Sequence, residues 1–311
     1  MIDRVSFVIS VFCPMKCPYC PQTVLHTNYK DSAVMEFDDF KQYLVKIPQH
    51  TQISFSGTAE NWLNKNCSKM ICYAYDNGWR NIALTHVAYH MSFEDIEAIQ
   101  YIQFTRHNVH LPSDEEEMNI VIVSDEYIKK LFLLKSHHPE LTFHCFGKIH
   151  PKLHAFCQQI KNETPGMQNR ANNVFPMNKL PKKKGKIICA YDLYLKPFIY
   201  PNGDVVLCCQ DWALKHILGN LNSQTLDEIY RGKEFKRIIN GQIAEDSDIL
   251  CRTCCFGLNL VCKTITEGDT LYNLSGIFWS YMYNSNYNVY FRKRNPDPNK
   301  IKTGDVFICA Q

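Results

Sequence analysis

Cys13-Pro14-Met15-Lys16-Cys17-Pro18-Tyr19-Cys20 places three cysteines within eight residues. Just before it, Val5, Phe7, Ile9 and Val11 alternate in the manner of a strand. Three thiolates leaving a strand end can hold a metal centre, and Pro14 and Pro18 keep the segment from becoming one regular helix. A structural zinc site asks for a fourth ligand, for which His26 is the nearby candidate. The stretch points to a three-thiolate centre with one position open.

Working outward, the whole chain has 311 residues, 45% hydrophobic and 21% charged, enough for one large domain or a large domain with a small one. Its formal charge of +3 comes from 34 basic and 31 acidic residues, a balance that argues against nucleic-acid or membrane partners. The 15 cysteines are clustered, which suits metal ligation better than a disulfide scaffold. No signal peptide is evident, and no stretch approaches the roughly 18 apolar residues that cross a bilayer. A cytoplasmic location is expected.

The C-x3-C-x2-C spacing, with Tyr19 before the third cysteine, resembles the signature loop of radical S-adenosylmethionine (SAM) enzymes. The resemblance implies a [4Fe-4S] cluster on Cys13, Cys17 and Cys20 whose remaining iron is chelated by SAM. It also implies reductive cleavage of SAM to a 5'-deoxyadenosyl radical, with electrons from a flavodoxin- or ferredoxin-type donor. Tyr19 would border the bound SAM. The family carries a glycine-rich turn ending in glutamate after its second strand, and Gly57 and Glu60 of Gly57-Thr58-Ala59-Glu60 match it, facing the SAM amino group. Ala59 replaces a commoner glycine, and Asn61 stands where proline is usual. Within Asn169-Arg170-Ala171-Asn172-Asn173, Arg170 is the candidate for the SAM carboxylate, because a planar fork grips a carboxylate through two donors.

Periodicity predicts helices over Met35–Ile47, Cys67–Asn77, Ser92–Ile102, Asp125–Leu134 and His150–Lys161. Strands are expected at Thr51–Ser56, Asn81–Thr85, around Val109 and Met118–Val123, and at Leu141–Cys145. This alternation predicts an α/β fold with a mostly parallel sheet, and the resemblance specifies a partial (β/α)6 TIM-like barrel. The boundaries expected are a core over residues 1–175, a Pro- and Lys-rich linker over 176–188, a small C-terminal cluster domain over 189–262, and an aromatic-rich extension over 263–311 that packs on the core or lids its cavity.

The second domain begins at Cys189. Phe198 and Tyr200, the Asn202-Gly203 turn, and Val205 with Leu207 read as a hairpin that brings Cys208 back along the chain. Cys251-Arg252-Thr253-Cys254 then supplies two more thiols from one tight loop. Zinc and iron-sulfur both accept four sulfurs. Gly203 to Cys208, Leu218-Gly219-Asn220-Leu221 and the final C-x2-C resemble SPASM and twitch extensions, which implies one auxiliary [4Fe-4S] cluster on Cys189, Cys208, Cys251 and Cys254. Cys209 and Cys255 adjoin two of these, so the ligand registry has two settings.

The resemblance implies hydrogen abstraction from a carbon of a small polar substrate, a sugar or aminocyclitol, giving dehydrogenation or epimerisation. Cys255 is the candidate hydrogen donor for epimerisation. Peptide or protein modification is a second reading, and a zinc-stabilised interaction protein without catalysis is a third.

Overall fold

A computed structural model describes residues 2–17, 20–114, 121–163, 170–174, 179–264 and 306–310. Tyr19 and the aromatic run from Phe278 to Phe291 lie outside the described residues.

Six strands are laid down in sequence order. They are β1 (Arg4–Phe7), β2 (Gln52–Phe55), β3 (Ile82–His86), β4 (Arg106–Leu111), β5 (Thr142–Phe146) and β6 (Ile160–Glu163), each parallel to the next. Parallel neighbours need a crossover, and helices supply most of them. α1 (Gln22–Asn28) and α2 (Phe37–Leu44) lie between β1 and β2, and α3 (Cys67–Asp76), α4 (Phe93–Ile99) and α5 (Asp125–His137) serve the next three connections. α1 escapes the periodicity because Leu25 is its one buried residue. Ser92 and Asp95 form a reciprocal capping box at the start of α4, so the shorter carboxylate reaches the Ser92 N–H at 3.0 Å without the glutamate the pattern favours.

The expected helix over His150–Lys161 is a 3-10 helix over Pro151–Gln159, and the residues after it are β6. Ile160 pairs with Phe143 and Glu163 with Phe146, so the segment provides both the crossover and the last parallel strand. Of the strand expected around Val109 and Met118–Val123, β4 is formed, and Val121 packs instead with Met15 and Val87.

Strand pleating sorts the residues onto two faces. Val5, Phe7, Ile53, Phe55 and Leu84 pack with α2 and α3 residues such as Phe40, Leu44 and Met70 in one core. The alternate residues form a second face, and several of them are polar: Arg4, Ser6, Ser54, Arg106, Asn108 and His144. Closed barrels fill their interior with branched apolar side chains. Here the second face leaves an open cavity of about 390 Å³.

After residue 179 the chain adds β7 (Ile187–Cys189), β8 (Phe198–Ile199), β9 (Asp204–Val206), β10 (Ile217–Asn220), α6 (Leu226–Tyr230), α7 (Lys233–Ile243), β11 (Gly257–Thr264) and β12 (Val306–Ala310). The expected hairpin is β8 and β9, turning at Gly203 with φ +83°, a conformation that favours glycine. β8 lies parallel to β1, and the result is an open, mixed nine-stranded sheet in the order β10-β9-β8-β1-β2-β3-β4-β5-β6. Among the described strands β6 has no pairing back to β10. A second, antiparallel sheet has the order β12-β11-β7.

Candidate active site

The segment after β1 carries the three cysteines to the cavity. Val11 donates its N–H to Ala33 O at 2.9 Å, and Cys20 donates to Cys17 O at 2.9 Å, closing the loop on itself. Cys13, Cys17 and Cys20 all line the cavity as half-buried thiols outside any disulfide. Burial raises the Cys13 pKa and pushes Cys20 up to about 12, so these two thiols favour the neutral form unless a cation binds them. A soft cation is the partner that holds such a set as thiolates. His26 gives its Nε2–H to Val11 O at 2.9 Å, so that nitrogen is engaged with the backbone.

The turn after β2 forms the next wall. A Cβ on Gly57 would stand 3.2 Å from Val8 Cγ2, so glycine lets the turn approach the segment after β1. Glu60 is fully buried. Its Oε2 accepts the Val87 N–H at 2.6 Å, while its Oε1 is buried without a partner. Burial outweighs the N–H donors of Val87, Trp62 and Ala88 and raises the Glu60 pKa to about 8. An ammonium group would satisfy the orphaned oxygen. Asn61 gives its side-chain amide to Phe55 O at 3.0 Å and Thr85 O at 2.9 Å, tying the ends of β2 and β3 together, a task proline has no donor for.

Arg170 enters the cavity from another side. It begins three successive left-handed residues, with φ of 47°, 52° and 67° at Arg170, Ala171 and Asn172. Such a run costs about 1–2 kcal/mol per residue. Asn172 offsets part of this through two hydrogen bonds with Leu180, at 3.0 and 2.8 Å. The Arg170 Nε is buried and unpartnered, and the guanidinium lies 6.0 Å from the Trp212 ring. A planar cation with an unused donor suits a carboxylate.

The second cysteine group lies in the C-terminal part. Cys189 ends β7, Cys208 follows β9, Cys251 lies within a 3-10 turn over Leu250–Thr253, and Cys254 caps it. All four line one small cavity with Leu193, Leu207 and Leu250. Their neighbours, Cys209 and Cys255, do not line it; Cys209 lines the large cavity, and Cys255 hydrogen-bonds with Cys254. Burial raises the pKa of Cys189, Cys208 and Cys251, the last to about 12, and the hydrogen bond with Cys255 followed by burial raises that of Cys254. Leu193 N–H points at Cys189 Sγ and Phe256 N–H at Cys254 Sγ, both at 3.4 Å, as suits sulfurs bound to iron.

Arg252, between the paired cysteines, is fully buried. It donates to Lys183 O, Gly185 O and Gly241 O at 2.7, 2.9 and 2.7 Å, with no carboxylate partner among the described residues. A buried cation beside four thiols would offset the negative charge of a thiolate-bound cluster.

A family model for the SPASM domain, described as an iron-sulfur cluster-binding domain, matches residues 189–255. The fold is similar to BtrN in complex with AdoMet and 2-DOIA, with 14% identity and a TM-score of 0.58 over 82% of this chain and 93% of that one. It is also similar to Streptococcus suis SuiB bound to precursor peptide SuiA, at 13% identity and a TM-score of 0.56, covering 82% of this chain and 70% of that one. This chain shares the fold of these two proteins, and its residues 189–255 match the SPASM iron-sulfur cluster-binding domain. A third similar structure is anSMEcpe with bound AdoMet and Cp18Cys peptide, at 13% identity and a TM-score of 0.51, covering 82% of this chain and 88% of that one. Among curated proteins none matches.

On this fold, several polar residues of the second face escape the motif spacing. Arg4, Arg106, Asn108, His110 and His144 all line the large cavity. Their signal is present in the chain as polar residues at every second position of β1 and β4. His86 also borders the cavity, although both its nitrogens are engaged, Nδ1 with Trp62 Nε1 at 2.7 Å and Nε2 with His107 Nε2 at 3.0 Å. His107, His138 and Glu140 bring ligand atoms within 4.8 Å of one another, but the two rings meet edge to face at 4.9 Å, the packing of core aromatics. No helix among the described residues is long and apolar enough to cross a membrane.

Proposed function

We propose that this protein is a radical SAM enzyme with a core [4Fe-4S] cluster on Cys13, Cys17 and Cys20 and an auxiliary one on Cys189, Cys208, Cys251 and Cys254. The observation that carries the reading is one cavity holding three thiols, the orphaned Glu60 Oε1 and the orphaned Arg170 Nε. When bound, the core cluster and SAM supply a 5'-deoxyadenosyl radical that takes a hydrogen atom from a substrate carbon. Glu60 receives the SAM amino group, and Arg170 faces its carboxylate. Gly57 lets its turn sit against Val8, which holds the turn backbone at the cavity wall beside the cofactor. Wall residues hold the reacting carbon near the cofactor and exclude competing donors. A flavodoxin- or ferredoxin-type protein supplies electrons.

Peptide or protein modification draws support from SuiB and anSMEcpe, both of which carry peptides. Dehydrogenation or epimerisation of a sugar or aminocyclitol draws support from BtrN with 2-DOIA. In an epimerase Cys209, in the large cavity, is better placed than Cys255 to return a hydrogen atom.

Iron and acid-labile sulfide after anaerobic reconstitution test the assignment. Wild type is expected to hold two clusters and a variant without Cys13, Cys17 and Cys20 one, with reductant-dependent 5'-deoxyadenosine formation abolished. Full SAM cleavage by Cys17→Ala sinks it, and zinc without iron favours a zinc-stabilised interaction protein.

A further inference from the structure

Gln242 is the next-to-last residue of α7 and is buried. Its side-chain Nε2 stands 4.0 Å from Cys251 Sγ and donates to it. Helical phase explains the approach: Ile238, Gly241 and Gln242 are the buried positions of α7, spaced so that they share one inward face. A Cβ on Gly241 would stand 2.8 Å from Ile249 Cγ2, so glycine lets the end of α7 close on the segment leading into the Leu250–Thr253 turn. The Gly241 carbonyl also takes an Arg252 N–H at 2.7 Å. Helix end and cysteine turn are thereby held together, with the Gln242 amide at the sulfur.

Each of the other three sulfurs meets a backbone N–H: Cys189 that of Leu193 and Cys254 that of Phe256, both at 3.4 Å, and Cys208 that of Gln210. Among the described residues Gln242 is the one side-chain N–H in this set. No acid is among the residues lining the small cavity. Asp211, which acts on Cys251 from outside it, accepts the Lys215 and His216 N–H groups at 2.8 and 2.7 Å. Arg252 turns its N–H groups to neutral oxygens of Ser247, Lys183, Gly185, Gly241 and Ala244, so no hydrogen-bonded acid cancels its charge. Reduction adds one electron to a four-thiolate cluster that is already negative, and an N–H aimed at sulfur gains more from the reduced state than from the oxidised one.

We propose that Gln242 sets the reduction potential of the auxiliary centre, its amide raising the midpoint by donating to Cys251 Sγ. This rests on the iron-sulfur reading of Cys189, Cys208, Cys251 and Cys254. The backbone donors are fixed by the fold, whereas residue 242 can change without moving the chain. This position is therefore where the centre is tuned to accept an electron.

The test is a mediated redox titration of the anaerobically reconstituted whole chain, followed by electron paramagnetic resonance, on wild type, Gln242→Leu and Gln242→Glu. Leucine removes the donor at similar volume, and glutamate keeps the shape while turning a second oxygen to the sulfur. Repeating the titration in a background without Cys13, Cys17 and Cys20 identifies the auxiliary signal. Gln242→Leu should lower the auxiliary midpoint by about 59 mV or more, a tenfold change for a one-electron couple, and Gln242→Glu by more. The core midpoint should not move. A full auxiliary cluster at the wild-type potential in Gln242→Leu overturns the proposal, and Gln242→Glu is read in its place if the leucine variant does not load. Loss of auxiliary iron and sulfide from both variants overturns it too, because Gln242 then holds the fold and not the potential. Zinc in place of iron in wild type is seen in the metal content before any potential is read, and that outcome fails the iron-sulfur reading itself and the proposal with it.

Discussion

Glu60 concentrates the chemistry of the cofactor side into one carboxyl group. It is buried, satisfied on one oxygen and open on the other. Glu60→Gln keeps the shape and the Val87 contact but removes the charge, and it should weaken SAM binding about tenfold to a hundredfold, measured by equilibrium titration. Its pKa, raised from 4.5 to about 8, also acts on stability. In that range the folded state holds a proton the unfolded chain has lost, so the Glu60 contribution falls as pH rises from about 4.5 to 8. SAM-free Glu60→Gln should therefore gain stability over wild type towards pH 8 and lose the advantage near pH 5, read from urea midpoints across that range. An unchanged difference would show that Glu60 is charged in the empty site.

The auxiliary cysteine turn depends on backbone shape as much as on sulfur. Gly257 starts β11, and a Cβ there would stand 2.2 Å from Cys251 O, a clash with backbone that cannot swing aside. Gly257→Ala should push the Cys251–Cys254 turn out of place and lower iron and sulfide by one cluster's worth while the core cluster remains. Equal loss from both sites would mean that the substitution unfolds the chain as a whole. Arg252 holds the same turn from inside through backbone carbonyls, so turn and cluster domain stand or fall together. The capping boxes of α4 and α6 were readable as local signals, since Ser92 with Asp95 and Thr225 with Glu228 need three residues of spacing and nothing distant. The 3-10 crossover before β6 was not, because only pairing with β5 makes Ile160–Glu163 a strand.

Across the whole molecule, several imidazoles are folded in neutral form. Burial lowers the His86 pKa to about 3, that of His110 to about 4, and that of His107 well below 6.5. The unfolded chain takes up these protons as pH falls through 6.5 while the folded state resists, so stability is present above 6.5 and lost below it. With His90 and His138, whose pKa values burial also lowers, these groups outnumber the opposing carboxyls Glu60 and Asp211, both raised by burial. Wild type should therefore become steadily less resistant to urea from pH 6.5 to 4.5, and a flat profile would mean that the histidines are protonated in the fold.

By itself the sequence determined the cysteine spacing, the glycine-to-glutamate turn, most helices and the parallel α/β alternation. These are written in intervals of two to four residues, and local sterics and pleating read them directly. Folding alone decided which of two adjacent cysteines faces the auxiliary site, that β8 joins β1, and that Arg4 and Arg106, about a hundred residues apart, share one cavity. Those outcomes depend on how distant strands meet, and neighbouring positions along a strand differ only in the face they are given once it pairs.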